Sequence, residues 1–457
     1  MRVKHLSASH FRGFEKLDID FSATNLTVFI GTNGQGKSSL LDLIAAHLNQ
    51  FVFNLNQKFM KREGTDGFLQ NKDIKNFSTE MQSKIRFLVP PNYLPKEQDT
   101  PYEPSDTILL NAANDYSEHK IDDVFFSFSK NLGQKIILKP FFSAPVFAYY
   151  RASRTVNSDA IVTNEQMPSV FTPLKAYDNA FSKTQNNFDD FFTWFKIEED
   201  EENAAIRQEK NFDLRNPQLE VVRTAITHFF SFLSGDKYGN LRIERANNSE
   251  NQGMSYKSNG TSILVLDKND ENLSVNQLSD GEKSVIMLVC DIARRLAIAN
   301  PIEKNGDFST ILKNGNGVVL IDEIDLHLHP LWQKEILQAL VKTFPSLQFI
   351  VTTHSPYVVT HLDLDDSQVQ VLSITKNGVI PVASKGKDLS TASFEIFGVE
   401  RRPKQYQSLI DDLFREFEAE TPNFSVLDKK FLDLKKRLGA TDPEVQSAKI
   451  ILEGLKL

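Results

Sequence analysis

One stretch of nine residues, Gly31–Ser39, constrains the fold and the chemistry of this chain more than any other. It reads GTNGQGKSS and fits the P-loop pattern G-x-x-x-x-G-K-[ST] at every fixed position. The β-branched and apolar run Leu26–Ile30 precedes it, and Ser39–Ala46 follows with the apolar spacing of a helix. Backbone N–H groups of such a loop and the N-terminus of its helix together bind phosphate. The sequence therefore predicts a nucleoside triphosphate site.

The side chains of this loop have separate expected roles. Lys37 is expected to reach the β- and γ-phosphates, and the Ser38 hydroxyl is expected to ligate Mg²⁺. The other expected nucleotide contacts in the loop are Asn33, Gly34, Gly36 and Ser39. ATP and Mg²⁺ are the ligands predicted for the chain.

Polar residues also follow two later apolar runs. Asp322 and Glu323 end the run Gly317–Ile321, which is how a Walker B motif is built. Asp322 is expected to hold Mg²⁺ through water, and Glu323 to polarise the attacking water as a general base. His354 directly follows the next buried run, where its ring can reach a γ-phosphate. A lone histidine is more often structural, but its position after the P-loop and Walker B strands favours catalysis.

A second phosphate-binding loop is predicted at the start of a long helix. Ser279 and Gly281 lie there, and a serine hydroxyl, a glycine backbone and a helix N-terminus together can bind phosphate. The alternative is an ordinary helix start, because Ser279 and Glu282 are spaced as a capping box. Both interpretations can hold at once, since the N–H groups of the loop bind the ligand in either case.

The composition limits the partners and the location of the chain. It has 457 residues, a net charge of -8 and a pI of about 5.7, so no global basic field points to nucleic acid. The single cysteine, Cys290, lies in an apolar helical run and is expected to be a small buried hydrophobe. We expect a cytoplasmic protein without membrane contact, because no signal peptide or bilayer-length apolar segment is present.

Strands alternate with helices through most of the sequence, which predicts an α/β fold with a parallel sheet. Asp122–Phe128 and Lys135–Leu138 are predicted as strands, the first from its alternating apolar residues. Residues 155–235 are predicted to form a mostly helical insertion, and its acidic run Glu198–Glu202 is expected to be a solvated helix face. Three amphipathic segments in residues 401–457 predict a small C-terminal helical tail.

The motifs in combination resemble those of the ABC-type ATPases of the SMC, RecF and OLD group. They are the P-loop, LSDGE, IDE followed by DLHLHP, and TTHSP, and the segment Phe11–Phe14 is similar to the F-R-x-F that begins these heads. The resemblance covers residues 1–400 and implies a two-lobed ATPase head that sandwiches ATP between two protomers. In that family the loop corresponding to Ser279–Glu282 completes the partner's site, which implies a homodimer or higher oligomer.

The same resemblance implies further site residues. Arg12 of the F-R-G-F segment becomes an expected nucleotide contact, Asp325 the D-loop aspartate, and His354 the switch histidine. The Q-loop glutamine of the family has no clear counterpart. Arg151 or Arg154, after a predicted strand, is expected to take its place.

Two departures from the larger group narrow the resemblance. There is no long coiled coil between the lobes, and the segment after Arg402 is too short for the TOPRIM nuclease domain of OLD enzymes. The chain therefore resembles the compact PtuA-like ATPases of Septu systems and certain retrons, with weaker cues at Trp194–Phe195, Phe397–Val399 and Leu438–Glu444. In that family the ATPase assembles with a separate HNH-type nuclease.

The leading hypothesis is an ATP-hydrolysing ATPase that senses infection or licenses a separate nuclease in anti-phage defence. One alternative is a RecF-like DNA repair ATPase that acts on DNA directly, and DNA is its implied partner. A second alternative is the nucleotide-binding subunit of a transporter. The acidic balance disfavours autonomous DNA binding, and the F-R-G-F start and the DLHLHP loop count against the transporter.

Overall fold

The structure is a computed structural model of the chain. It describes residues 1–21, 24–55, 69–90, 93, 102–113, 118–121, 123–139, 141–152, 172–182, 187–233, 235–245, 262–302, 307–375, 378–419 and 422–455. The chain divides into two compact units, Met1–Leu389 and Ser390–Leu457.

The described residues form strands and helices with the following bounds. The strands are β1 (Arg2–Phe11), β2 (Phe14–Asp20), β3 (Leu26–Ile30), β4 (Glu80–Leu88), β5 (Ser105–Asn111), β6 (Glu118–Ile121), β7 (Val146–Tyr150), β8 (Tyr238–Arg245), β9 (Ser262–Lys268), β10 (Glu271–Ser274), β11 (Gly317–Ile321), β12 (Leu347–Thr353), β13 (Val369–Thr375) and β14 (Gly378–Pro381). The helices are α1 (Lys37–Leu55), α2 (Asp123–Leu138), α3 (Asn187–Glu209), α4 (Pro217–Phe230), α5 (Asp280–Ala299), α6 (Ser309–Asn314), α7 (Pro330–Thr343), α8 (Pro356–Thr360), α9 (Leu389–Glu395), α10 (Lys404–Phe417), α11 (Phe424–Leu438) and α12 (Pro443–Leu455).

A six-stranded sheet lies at the centre of the first unit. Its order is β14-β13-β3-β12-β11-β7, and all neighbouring pairs are parallel except β13 and β14. Every residue of β3, β7, β11 and β12 is buried, which explains their continuous apolar sequences. The predicted parallel sheet of an α/β protein is confirmed, and its carboxyl edge is where such folds bind ligands.

Two antiparallel sheets complete the first unit. One has the order β2-β1-β4-β5-β6, and the other has the order β10-β9-β8. Helix α1, which follows the P-loop, packs against β11 and β12 of the central sheet and against β5 of the five-stranded sheet. The N-terminal motif Phe11–Phe14 spans the turn between β1 and β2.

The two strands predicted within Asp122–Leu138 are wrong, because this segment is the helix α2. Its buried residues Phe125, Phe128, Leu132 and Ile136 recur at three or four positions and form one helical face. Phe125 stacks on Phe51 of α1, with ring centroids 5.3 Å apart. The alternation of apolar residues that predicted a strand arises by chance, because this segment is rich in phenylalanine. The residues that pack on α1 instead follow the spacing of a helix.

The solvated face predicted for Glu198–Glu202 is right for Asp200 and Glu201, which are exposed, and wrong for the other three acids. Within α3, Glu198, Glu199 and Glu202 are buried. Arg223 of α4 lies against Glu199 and Glu202, and its Nη2 donates to Glu202 Oε2 over 3.0 Å. The Glu199 carboxylate accepts the backbone N–H of Ile243 over 3.0 Å. Asn216 donates its side-chain amide to Glu198 and its backbone N–H to Glu202, over 2.7 and 2.6 Å. Together these partners make burial of the three acids possible.

The predicted insertion at 155–235 is described from residue 172 onward, and there its main elements are α3 and α4. Helix α4 packs against α5 and β8, and α3 also packs against α5. The predicted buried position of Cys290, on α5, is confirmed. The boundary between a head at 1–400 and a tail at 401–457 stays a prediction.

The second unit contains the three helices predicted for the tail, α10, α11 and α12. They share one apolar core, formed by Ile410, Leu413, Leu427, Leu434, Val445, Ala448 and Leu452. Leu455, the last residue of α12, is exposed and lies outside this core. Arg402 pairs with Asp442 over 2.8 Å at the start of α12. Across the described ranges of the whole chain, no helix is long and apolar enough to cross a membrane.

Candidate active site

Three neighbouring strands deliver the predicted site residues to one edge of the central sheet. Ile30 of β3 pairs with Thr353 of β12, so the P-loop and His354 begin at adjacent strand ends. Lys37 Nζ lies 3.4 Å from His354 Nδ1. Asp322 follows β11, the next strand in the sheet. The sequence motifs that were far apart in the chain therefore converge.

The P-loop glycines are required by the backbone conformation and by a close neighbour. Gly34 and Gly36 have φ angles of +81° and +96°, which disfavour any residue with a side chain. A Cβ atom at Gly36 would lie 2.6 Å from the ring of Phe14. Phe14 ends the F-R-G-F segment, so this segment packs directly beneath the loop.

Lys37 is buried within the loop that it belongs to. Its Nζ donates to the carbonyl oxygens of Gly31, over 2.9 Å, and Thr32, over 3.1 Å. Burial lowers the pKa of Lys37, while Asp322 and Glu323 act in the opposite direction through their charge. The ammonium group is thus held by the carbonyl groups of its own loop.

Arg12 lies against the first turns of α1. Its guanidinium donates to Asp73 and Asp42, over 2.8 and 2.9 Å, and to the Ser39 hydroxyl, over 2.9 Å. Burial lowers the pKa of Arg12, but the hydrogen bonds to Asp73 and Asp42 outweigh it and raise the pKa overall. These contacts tie the F-R-G-F segment to the P-loop helix. A direct contact between Arg12 and the nucleotide stays a prediction.

Arg151 shares a partner with Arg12. Its Nη1 donates to Asp42 Oδ1 over 2.7 Å, and its guanidinium lies 4.3 Å from the ring centroid of Tyr149. Of the two arginines considered for the Q-loop position, Arg151 is described and contacts the P-loop helix, whereas Arg154 lies outside the described residues. Sequence reasoning did not single out Asp42, although an acid in the second turn after the P-loop is a usable signal.

The Walker B residues are fixed by a threonine that the sequence analysis missed. Asp322 is buried, and its Oδ1 accepts a hydrogen bond of 2.6 Å from the Thr352 hydroxyl. Glu323 has a φ of +48°, in the left-handed region that residues with side chains rarely adopt. Its backbone N–H donates to the same Thr352 oxygen over 2.8 Å.

Asp325 and His354 are joined in a similar way. The Thr353 hydroxyl donates to Asp325 Oδ1 over 2.6 Å, and the backbone N–H of His354 donates to the same oxygen over 3.3 Å. Burial and the charge of Lys37 lower the pKa of His354, against the opposing effect of Asp325. The neutral form of the imidazole is therefore favoured.

Ser279 begins α5 with the predicted capping box. Its backbone N–H and hydroxyl both donate to Glu282 Oε2, over 2.8 and 2.7 Å. Lys268 and Tyr238 donate to Glu282 Oε1, over 2.7 and 2.5 Å. Burial raises the pKa of Glu282, but the bonds from Lys268 and Ser279 outweigh it and lower the pKa to about 2.

Gly281 lies where a loop from the other side of the site approaches. A Cβ atom at this position would be 2.4 Å from the carbonyl oxygen of His327. The start of α5 therefore packs against the loop that follows the Walker B strand. The capping interpretation is confirmed, while the second phosphate-binding loop stays a prediction.

Comparisons with known proteins show the family to which the chain belongs. Residues 26–360 match the family model described as "AAA domain, putative AbiEii toxin, Type IV TA system". The chain is 30% identical over 502 residues to the "Retron Ec83 probable ATPase" of Escherichia coli, which covers 96% of this chain and 83% of that protein.

Two other similarities are weaker. One is a sequence match to a short region, and the other is a structural alignment with a low score. The "Septu protein PtuA" of Bacillus mycoides (strain KBAB4) is 41% identical over 98 residues, 21% of this chain and 12% of that protein. A crystal structure of an SMC head bound to the C-winged helix domain of ScpA aligns over 84% of this chain and 98% of that one. Its sequence identity is 16% and its TM-score is 0.45.

Proposed function

Because this chain belongs to the AAA domain family that its residues 26–360 match, we propose that its ATPase activity serves anti-phage defence by controlling a separate nuclease. We assign hydrolysis to the carboxyl ends of β3, β11 and β12. The observation that carries this assignment is the approach of Lys37 to His354, 3.4 Å apart, beside the Walker B strand.

In this proposal the P-loop binds the phosphates of ATP. The backbone N–H groups of the loop and the N-terminus of α1 face the bound anion. Lys37 exchanges its two carbonyl partners for phosphate oxygens, because its Nζ already lies inside the loop. The ATP-binding role of the chain follows from its family, and the contacts of Asn33, Gly34, Gly36, Ser38 and Ser39 are our assignment.

The residues present fit a Mg²⁺ ion. Ser38 and Asp322 offer a hydroxyl and a carboxylate, which are the hard oxygen ligands that Mg²⁺ prefers. Asp322 directly follows β11, which runs parallel to β12 and β3, so it lies at the same edge of the sheet as the P-loop. Bound Mg²⁺ would supply positive charge that neutralises the phosphates as charge develops on them.

Glu323 and His354 are assigned to the hydrolytic step. The Glu323 carboxylate accepts the proton of the attacking water, which makes it the general base. The lowered pKa of His354 favours its neutral form, which has one donor and one acceptor on its ring. Asp325 accepts the backbone N–H of His354 and keeps the histidine at the end of β12.

We place the second phosphate-binding loop, Ser279 and Gly281, in the site of a neighbouring protomer. The capping box supports this, because Glu282 holds the Ser279 N–H and hydroxyl at the first turn of α5. The contact between Gly281 and the carbonyl of His327 also supports it. A movement at the Walker B loop is then transmitted to the loop that faces the neighbour.

Replacement of Glu323 tests the assignment of the site. Glu323→Gln keeps the size of the side chain but removes the base, so phosphate release should fall about 10²–10⁴-fold. ATP binding, measured by calorimetry, should remain. Glu80→Gln, at an exposed position on β4, is the matched control and should hydrolyse ATP normally. Hydrolysis at the normal rate by Glu323→Gln would show that another group activates the water.

The defence role rests on the relatives. The "Retron Ec83 probable ATPase" aligns with 96% of this chain, and the shorter match is to a Septu protein. The test is phage challenge of cells that carry the chain with its neighbouring genes. Lys37→Ala should abolish protection, and a nuclease encoded nearby should co-purify with the wild-type chain.

Failure of the defence test has a specific alternative. If the chain protects no cells but binds DNA tightly in the presence of ATP, the RecF-like repair function replaces this proposal. The net charge of -8 argues against that result, because DNA binding depends on neutralising phosphates with basic residues.

A further inference from the structure

Thr352 makes contact with three consecutive residues of the Walker B segment. It is fully buried and lies on β12, one residue before the end of the strand. Its hydroxyl bonds to the Asp322 side chain and to the Glu323 backbone, as described above. Its carbonyl oxygen accepts the backbone N–H of Ile324 over 3.0 Å. One side chain and one peptide group of β12 thus hold the end of β11.

The direction of these hydrogen bonds is fixed by the chemistry of the groups. A threonine hydroxyl has one proton and two acceptor lone pairs. The Asp322 carboxylate can only accept, so the hydroxyl proton goes to it. The Glu323 N–H can only donate, so a lone pair of the same oxygen receives it. Both bonds can form at once, and neither can reverse.

The hydrogen bond from the Glu323 N–H to Thr352 lies at a residue with a strained backbone conformation. With a φ of +48°, Glu323 persists only if its surroundings hold it there. The N–H of Glu323 and the N–H of Ile324 are both bound to Thr352, which brackets the strained residue. The direction in which Glu323 leaves the strand therefore depends on Thr352.

We propose that Thr352 is a positioning residue for ATP hydrolysis. Its hydroxyl orients the Asp322 carboxylate and holds Glu323 in the left-handed conformation from which its side chain acts. This inference rests on the roles assigned above to Asp322 and Glu323. Thr353 has a separate task, because its hydroxyl bonds to Asp325.

A pair of substitutions isolates the hydroxyl. Thr352→Val removes the oxygen but keeps the β-branched shape that suits the strand, and Thr352→Ser keeps the oxygen. Loss of a hydrogen bond to a charged group should lower kcat by about ten- to a hundredfold in the valine variant, with a smaller change in KM. The serine variant should recover most of the lost rate.

A binding measurement supplies a readout that does not depend on turnover. ATP affinity is measured by calorimetry with Mg²⁺ and with EDTA. In EDTA the Thr352→Val variant should match the wild type, because the P-loop is unchanged. With Mg²⁺ the valine variant should gain less affinity than the wild type, since Asp322 is no longer oriented.

Thr343 provides the matched control. Its hydroxyl is buried near the end of α7 and has no hydrogen-bond partner among the described residues. Thr343→Val therefore makes the same substitution in a buried position away from the site. We expect this variant to keep the wild-type kcat and Mg²⁺ dependence.

The outcomes separate this inference from the proposed function. If Glu323→Gln loses activity while Thr352→Val behaves like Thr343→Val, the positioning role is wrong. If Thr352→Ser fails to restore a rate lost in Thr352→Val, the hydroxyl is not the cause and the role is again wrong. If Glu323→Gln keeps full activity, the assignment of the site itself fails first.

Discussion

At the scale of single residues, His354 is a titratable group surrounded by charged side chains. Lys37 lies 3.4 Å from its Nδ1, and Asp322, Glu323 and Asp325 act on it with the opposite sign. Burial and Lys37 prevail and lower its pKa. Protonation of the imidazole would place a second cation beside the one that binds phosphate.

We therefore expect ATP hydrolysis to decline on the acid side of neutrality. The imidazole is neutral above its lowered pKa and becomes charged as the pH falls through that value, so the midpoint should lie below 6.5. The measurement is kcat/KM against pH from 5 to 8. In His354→Gln this acid limb should disappear or move, and an unchanged profile would assign the limb to another group.

Asp42 belongs to no sequence motif, yet it joins two arginines to the helix that follows the P-loop. Its two carboxylate oxygens bind Arg12, in the turn after β1, and Arg151, directly after β7. The P-loop identifies the start of α1, but it carries no information about which arginines reach this acid. Only the tertiary fold brings the three charges together, because the residues that follow β1 and β7 both reach α1.

At the scale of elements, the start of α5 is held by the small sheet β10-β9-β8. Lys268 at the end of β9 and Tyr238 at the start of β8 both bond to Glu282. The same carboxylate caps the helix through Ser279. The sheet therefore fixes the position of the loop that we propose to complete the site of the neighbouring protomer.

Removal of this carboxylate should have a pH-dependent effect on stability. The pKa of Glu282 is lowered from 4.5 to about 2, so its contribution is present at neutral pH and is lost as the pH falls from about 4.5 toward about 2. Glu282→Gln should lower the free energy of unfolding at pH 7 by about 1–3 kcal/mol, measured in urea.

The control for this prediction is Glu271→Gln, an exposed position on β10. It should leave stability nearly unchanged at every pH. If Glu282→Gln and the wild type differ equally at pH 7 and pH 3, the charge of Glu282 is not what stabilises the start of α5.

At the scale of the whole molecule, the proposed site needs two protomers. Lys37→Ala and Ser279→Arg should each abolish hydrolysis, because each damages one half of every composite site. In a mixed dimer of the two variants, one site carries both lesions and the other carries neither. Mixing should therefore restore part of the phosphate release, and no recovery under subunit exchange would refute the shared site.

The second unit should be separable from the site. All residues assigned to nucleotide binding and hydrolysis lie in Met1–Leu389, and the helices of the second unit have their own core. A chain ending at Leu389 should bind ATP with unchanged affinity by calorimetry. We expect it to lose co-purification with the partner nuclease. If it is insoluble, the tail stabilises the first unit instead.

The sequence by itself determined the strand, loop and helix of the P-loop, the Walker B acids and the histidine after β12. These features are local, because each motif needs only a few adjacent residues to take its shape. The alternation of apolar strands and helices likewise predicted the parallel sheet, since strands buried on both faces must be continuously apolar.

Only the tertiary structure decided how distant segments support these motifs. Thr352 acquires its role because β12 pairs with β11, and Glu202 is buried because Arg223 of the next helix neutralises it. The strand prediction for α2 is wrong because the contact with α1 favours the helix, although some of its apolar residues alternate. In each case the stabilising free energy comes from a contact between residues far apart in the chain. A local sequence pattern does not encode such a contact.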